Sequence, residues 1–226
     1  VLPDTSFAIA FRYKGQVNYL TDTNIHNLPS TVITGLRTSV RLINYLENTA
    51  TIIVQFKEGG TAAFFREPLY ELFGESVSLD NFISRQKISI IEEQLAEATN
   101  SKQRIAIVEQ FLLSILHTQR NDQLITNAIE KITSTKGIIK MKELADSFYL
   151  SQDAFEKRFR KIIGTSPKQF SSIIRMKSIT NQIHPTQSLT DIALQAGYFD
   201  QPHFNKDFRR FTGLSPTDFF KSSPRW

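Results

Sequence analysis

The chain has 226 residues, 40% of them hydrophobic and 22% charged, values typical of a folded globular protein and unlike a disordered one. No apolar run approaches the roughly 18–20 residues of a membrane span. Cysteine is absent, which removes disulfide scaffolds, thiolate metal centres and cysteine-nucleophile enzymes together and makes a reducing cytoplasm the natural setting. The sequence opens Val1-Leu2-Pro3-Asp4, without Met and without a signal peptide's basic and apolar regions, and reads as a chain lacking its first residues.

The net charge of +5 is unevenly placed. Residues 1–136 hold 13 Lys and Arg against 14 Asp and Glu, whereas residues 137–226 hold 14 against 8. A basic C-terminal part on a near-neutral body suggests a module for polyanions.

In chain order, the first part reads as β. Residues 7–13 and 16–20 flank Lys14-Gly15 and predict a hairpin. Strand-like runs rich in Val, Ile and Thr follow at 31–37, 40–46 and 51–57, with one more at 61–66. Residues 80–99 and 101–118 carry apolar residues at a 3.6-residue period, with Asp80 and Ser101 as expected N-caps. The expected inward set is Phe82, Ile83, Ile90, Ile91 and Leu95 in the first helix. In the second it is Ile105, Val108, Phe111, Leu112, Ile115 and Leu116. Such a pair packs as core or serves as a dimerisation hairpin.

An internal repeat begins further on. Shifted by 49 residues, positions 149–170 fall on 198–219 with ten of 22 identical: Tyr149/Tyr198, Gln152/Gln201, Phe155/Phe204, Lys157/Lys206, Phe159/Phe208, Arg160/Arg209, Gly164/Gly213, Ser166/Ser215, Pro167/Pro216 and Phe170/Phe219. Upstream, Leu144-Ala145 meets Ile192-Ala193 only at a shift of 48, so the second turn holds one extra residue. In the second copy Ser188 and Asp191 have capping-box spacing before a short helix over 189–196 that ends at Gly197. Asp200 then caps a helix tolerant of Pro202 in its first turn, with Phe204, Phe208 and Phe211 on one face and Gly213 as its stop. Helix, tight turn, helix is the helix-turn-helix arrangement. The first copy predicts a helix over 151–163 that buries Phe155, Phe159 and Ile162. A helix over 166–183, with Phe170, Ile173, Ile174, Ile179 and Ile183 inward, joins the copies. Its length of about 27 Å suits two helices aimed at grooves ~34 Å apart.

Away from the phenylalanines, the second copy presents Gln201, Asn205 and Lys206, then Arg209 and Arg210. The first presents Gln152, Asp153, Glu156, Lys157 and Arg160. Amides and cations are the groups that read base edges and grip phosphates. The run from Ala193 through Gly197-Tyr198-Phe199-Asp200-Gln201, His203-Phe204, Lys206, Phe208-Arg209-Arg210 and Gly213 to Ser215-Pro216 closely resembles the signature of AraC/XylS-family transcription regulators. The resemblance covers residues 121–224 and implies two helix-turn-helix units joined by a long helix, each placing its second helix in a major groove. By position it implies Gln152, Asp153, Glu156 and Lys157 as base readers in the first unit, and Gln201, His203, Asn205 and Lys206 in the second. It implies Arg160, Arg209 and Arg210 on phosphates. The first unit departs from the family in having Tyr149 where glycine is usual in the turn.

The expected architecture is α+β. Residues 1–79 form an antiparallel β sensor region of cupin-like or truncated cupin-like character, 80–119 a helical hairpin, and 120–226 the all-α DNA-binding domain. Double-stranded DNA is the expected partner. A small-molecule effector, self-pairing and RNA polymerase (for an activator) stand open beside it. No cofactor or metal is called for: His26, His117, His184 and His203 are scattered, and no glycine-rich phosphate loop is present. An enzyme reading therefore finds no site. The competing reading is a sensor or protein-interaction module that no longer binds DNA.

Overall fold

The computed structural model describes residues 1–20, 24–117, 122–181 and 188–221. Seven strands form two sheets. β1 (Ala8–Lys14) lies inside a four-stranded sheet of order β6-β1-β4-β7, with β4 (Thr31–Thr34), β6 (Ala50–Gln55) and β7 (Ser76–Ser78). β2 (Val17–Leu20) is the middle of a three-stranded sheet with β3 (Ile25–Asn27) and β5 (Leu42–Tyr45).

The hairpin expected across Lys14-Gly15 does not form. β1 is antiparallel to β4 on one side (Ile9 opposite Ile33) and to β6 on the other (Ile9 opposite Val54), so no edge remains for β2. Gly15 turns the chain at φ 72 against Thr49, and beyond it the Leu46 N–H donates to the Gln16 carbonyl at 3.0 Å, which starts the β2–β5 ladder instead. The strand expected at 61–66 is also absent. Gly59, at φ 75, opens a 3₁₀ turn over Gly60–Ala63, after which Phe64 packs on Phe56 and Phe65 on Phe82.

The two helices that follow are shorter than the periodicity predicts. α1 (Arg85–Glu97) starts after Ser84, because Asp80 sits in a separate 3₁₀ turn (Leu79–Asn81), where its carboxylate accepts from Arg85 at 3.1 Å. α2 (Ser101–Ile115) is capped by Asn100, not Ser101; the Asn100 side chain accepts from the Gln103 N–H at 3.0 Å. α1 buries Ile88, Ile91 and Leu95, and α2 buries Val108, Phe111 and Ile115, with Phe111 edge-on to Phe11 of β1. Ile90, Ile105 and Leu116, expected inside, are exposed: each helix presents a narrower stripe than its apolar content allows.

The remainder is helical: α3 (Gln123–Ser134), α4 (Met141–Asp146), α5 (Gln152–Ile163), α6 (Pro167–Asn181), α7 (Leu189–Gln195), α8 (Gln201–Thr212) and α9 (Pro216–Lys221). The duplication reappears as matched aromatic packing. Phe155–Phe159 and Phe159–Phe170 have ring centroids 5.7 and 5.5 Å apart; Phe204–Phe208 and Phe208–Phe219 repeat them at 5.5 and 5.3 Å. The expected Ser188 and Asp200 caps form, and Ser151, expected as the first residue of its helix, instead caps α5 from outside it. α5 turns Ile163 fully inward and Ile162 only partly. α6 buries Met176 beside Phe170, Ile173 and Ile179, leaves Ile174 half-buried, and ends among the described residues at Asn181, so Ile183 lies outside them.

The turns correct one pairing of the repeat. Leu150 and Tyr198 each donate five residues back, to Ala145 and Ala193, and Tyr149 (φ 55) and Gly197 (φ 75) share the left-handed position. Tyr149 is therefore equivalent to Gly197 and not to Tyr198, and Phe199 is the extra residue of the second turn.

One continuous core runs from Phe7 to Phe219 through sheet, hairpin and helices. Truncating a fully buried ring leaves a void, so Phe208→Ala is expected to cost about 3–5 kcal/mol in denaturant unfolding. Gly197→Val adds a β-branched side chain at positive φ, where a Cβ also comes within 3.1 Å of Ile138. Its melting temperature should fall well below the parent's, by several degrees for a strain of about 1–3 kcal/mol.

Candidate nucleic-acid interface

α5 and α8 acquire a usable outer face because their inner faces are fixed. Burial of Phe155 and Phe159 in α5 turns Gln152, Asp153, Lys157 and Arg160 to solvent. Burial of Phe204, Phe208 and Phe211 in α8 does the same for His203, Lys206, Arg209 and Arg210. At the head of each helix the Ser151 and Asp200 side chains accept from the N–H groups of Ala154 and His203, leaving other first-turn donors and the positive helix end toward an incoming anion.

The remaining predicted contacts are less free. Glu156 is half-buried and holds Arg160 at 2.8 Å. The Gln201 amide oxygen accepts from the Thr190 hydroxyl at 3.0 Å. Asn205 is half-buried, and its Oδ1 is enclosed without a partner among the described residues.

Three residues that the pattern of exposed amides and cations did not bring out, Asp207, Arg175 and Arg158, organise these faces. Asp207, one position from Lys206, accepts from the Tyr198 hydroxyl at 3.3 Å and lies 3.6 Å from the His203 Nε2 and 3.2 Å from Arg210. The spacing that makes this possible, four residues after His203 and three before Arg210, is readable in the sequence. Burial, with the Asp207 charge added, pushes the Tyr198 phenol above its ordinary range and keeps it a donor. Arg175 of α6 lies 5.4 Å over the Tyr198 ring and donates to the Gly137 carbonyl at 2.9 Å, which ties α6 to both units. In the first unit, Arg158 makes a two-pronged contact to Asp122, the cap of α3, at 2.7 and 3.0 Å.

Known proteins share parts of this arrangement. Residues 144–222 match a family model described as a helix-turn-helix domain. Over 117 residues the chain is 30% identical to an uncharacterized HTH-type transcriptional regulator of Haemophilus influenzae, an alignment covering 51% of this chain and 38% of that protein. Residues 144–222 thus match a helix-turn-helix domain by sequence as well as by the arrangement of their helices. The chain thus spans about two fifths of the length of this curated relative.

ToxT from Vibrio cholerae shares the fold over 97% of this chain and 91% of its own, with a TM-score of 0.51 at 9% identity. A DNA-binding transcriptional dual regulator from Escherichia coli K-12 overlays on 46% of this chain and 100% of its own, with a TM-score of 0.41 at 22% identity. Among the described residues no group of three His, Asp or Glu could hold a metal ion, and no helix is long and apolar enough to cross a membrane.

The Asp122–Arg158 contact that braces the first unit has a pH signature. Burial alone would raise the Asp122 carboxyl, but hydrogen bonds from Arg158 and the Ile125 N–H, with the Arg158 charge, outweigh it and hold the group below its ordinary 3.8. A carboxylate depressed in the folded state stabilises above its unfolded pKa, and that stabilisation is lost as pH falls through the folded value. Arg158→Gln should therefore melt below the parent by a constant margin from about pH 7 to 5, and the margin should close below about pH 4.

Proposed function

We propose that the chain is a sequence-specific transcription regulator whose α5 and α8 enter successive major grooves. The observation that carries this reading is the doubled phenylalanine stack behind two helices that expose Lys and Arg at the same offsets, Lys157 and Arg160 matching Lys206 and Arg209. Gln152, Asp153, Glu156 and Lys157 read bases in the first unit, and Gln201, His203, Asn205 and Lys206 in the second. Arg160, Arg209 and Arg210 grip phosphates. Acidic Asp153 and Glu156 accept from cytosine N4. Glu156 and Asp207 release their arginines as phosphates arrive, since exposed pairs contribute only about 0–1 kcal/mol.

The working division is a cupin-like sensor over 1–79, a pairing hairpin over 80–119 and the DNA-binding domain over 120–226, in a cytoplasmic protein that, if it is an activator, meets RNA polymerase at its promoter. Exposed Ile90, Ile105 and Leu113 on the hairpin suit contact with a second copy. A cavity of about 170 Å³ between the two sheets, lined by Val17, Val32 and Ile43 with Arg12, Arg37 and Arg41, suits a small-molecule effector. Arg37 is the group that asks for one. Burial and the neighbouring Arg41 lower its guanidinium to about 10, and its Nε has no partner among the described residues. A ligand with an apolar body and one anionic group fits that lining.

Mobility shifts at two salt concentrations test the DNA reading. Log K should fall by roughly 0.9 per phosphate contacted for each tenfold rise in salt, whereas a protein-interaction module would show little dependence. Lys206→Ala should cost about 1–3 kcal/mol and relax preference at one or two base pairs; Arg209→Ala should weaken all duplexes alike and reduce the salt slope by about 1. Parent-like binding by both variants would refute the assigned faces.

A further inference from the structure

We propose that Tyr149 and Phe199 are additional DNA-contacting side chains, each laying an aromatic ring on the deoxyribose and thymine-methyl surface at the rim of the groove entered by the helix that follows. The proposal rests on α5 and α8 being recognition helices.

Three observations converge on these two residues. First, they are the most exposed large apolar side chains described, at 97% and 93%, with Ile25 next at 71%. Every other aromatic ring singled out by the repeat is buried: Phe155, Phe159, Phe170, Tyr198, Phe204, Phe208 and Phe219. Neither exposed side chain takes part in a ring contact or a hydrogen bond among the described residues, so neither contributes to folding by packing.

Secondly, both stand at one place in the duplicated unit. Tyr149 lies two residues before Ser151, the cap of α5, and Phe199 lies one residue before Asp200, the cap of α8. A recognition helix enters the groove N-terminal end first, which sets the residues just ahead of its cap over the groove rim. The accessible apolar surface there is sugar and the thymine C5-methyl group.

Thirdly, each is a residue the fold would do without. Tyr149 occupies the left-handed region at φ 55, where Gly197 serves the equivalent turn without a Cβ. Phe199 is the one residue by which the second turn is longer than the first, placed between buried Tyr198 and Asp200. An L side chain kept at positive φ and an extra ring kept in water both work against stability, and strain of this kind is retained where a site uses it.

The test uses the full 226-residue chain and a duplex that this chain selects from a random-sequence pool. Tyr149→Gly relieves the backbone, so its melting temperature should rise while its DNA affinity falls about tenfold, the loss expected when a large part of one ring's buried area is removed. Phe199→Ser should lose affinity to a similar degree with its melting temperature unchanged. Tyr149→Phe and Phe199→Tyr should bind like the parent. Because no phosphate contact is removed, the slope of log K against log salt should not change in any of the four.

A purely structural role predicts the opposite for Tyr149→Gly, a lower melting temperature with affinity following it, and that result overturns the proposal. So does binding within about twofold of the parent by both Tyr149→Gly and Phe199→Ser, the outcome if the rings serve a protein partner. Should the parent itself bind no duplex, the recognition-helix reading falls first and this proposal with it.

Discussion

Edge-on packing of Phe159 on Phe170, and of Phe208 on Phe219, is the constraint on which the helical half depends. Each pair joins the second helix of a unit, α5 or α8, to the helix that follows it. A ring held between two others has little rotational freedom, and α5 and α8 are short helices that would be marginal alone. Once Phe155, Phe159 and Ile163 are taken inward, only one side of α5 is left for water; the same holds for α8 with Phe204, Phe208 and Phe211. The outward residues are thus specified by the inward ones. The polar face needs no interaction of its own to be oriented, which leaves it free for an external partner.

The charges on those faces occupy a middle position between structure and binding. Arg160 and Arg210 each have a carboxylate neighbour on the same helix, Glu156 and Asp207. These pairs are solvent-accessible on the arginine side, so they hold a side chain in place without holding it tightly. Arg158 differs: its two-pronged contact reaches across to the cap of α3, and the partner carboxylate is mostly enclosed. One arginine of α5 therefore braces the first unit from within, while another, two positions later, remains exchangeable.

The helical half was legible in the sequence because its signals are local and repeated. Ser188 and Asp200 cap where their spacing indicates, and the phenylalanines fall inward at the 3.6-residue period. Where the helical reading slipped, identity had been taken for equivalence: Tyr149 and Tyr198 share a side chain, but their backbones differ, and only φ distinguishes a residue at the left-handed position from its neighbour. The β half was less legible because strand pairing is decided at a distance. Nothing in residues 7–20 records that β4 and β6 occupy both edges of β1, which is what excludes the Lys14-Gly15 hairpin. Ile90 and Ile105 share the period of their helices, and only the width of the surface each helix meets decides that they stay outside. The site shows the same division. Exposed cations could be listed from the pattern, whereas the enclosure of the Asn205 amide oxygen and the gathering of Tyr198, His203 and Arg210 around Asp207 depend on neighbours from other elements.

The β half also bears on how the two units are held. Phe7, just before β1, fills the space beside Gly164 so closely that a Cβ there would come within 2.6 Å of its ring. Asp4 pairs with Lys177 of α6 at 2.6 Å, and the Val40 N–H donates to the Arg210 carbonyl in α8 at 3.1 Å. The N-terminal segment and its loops thus touch the end of α5, α6 between the units, and α8. Val40 lies between Arg37 and Arg41, both of which line the cavity between the sheets. Because one close-packed core is shared by sheet and helices, the angle between α5 and α8 is a property of the whole chain and not of the helical half alone.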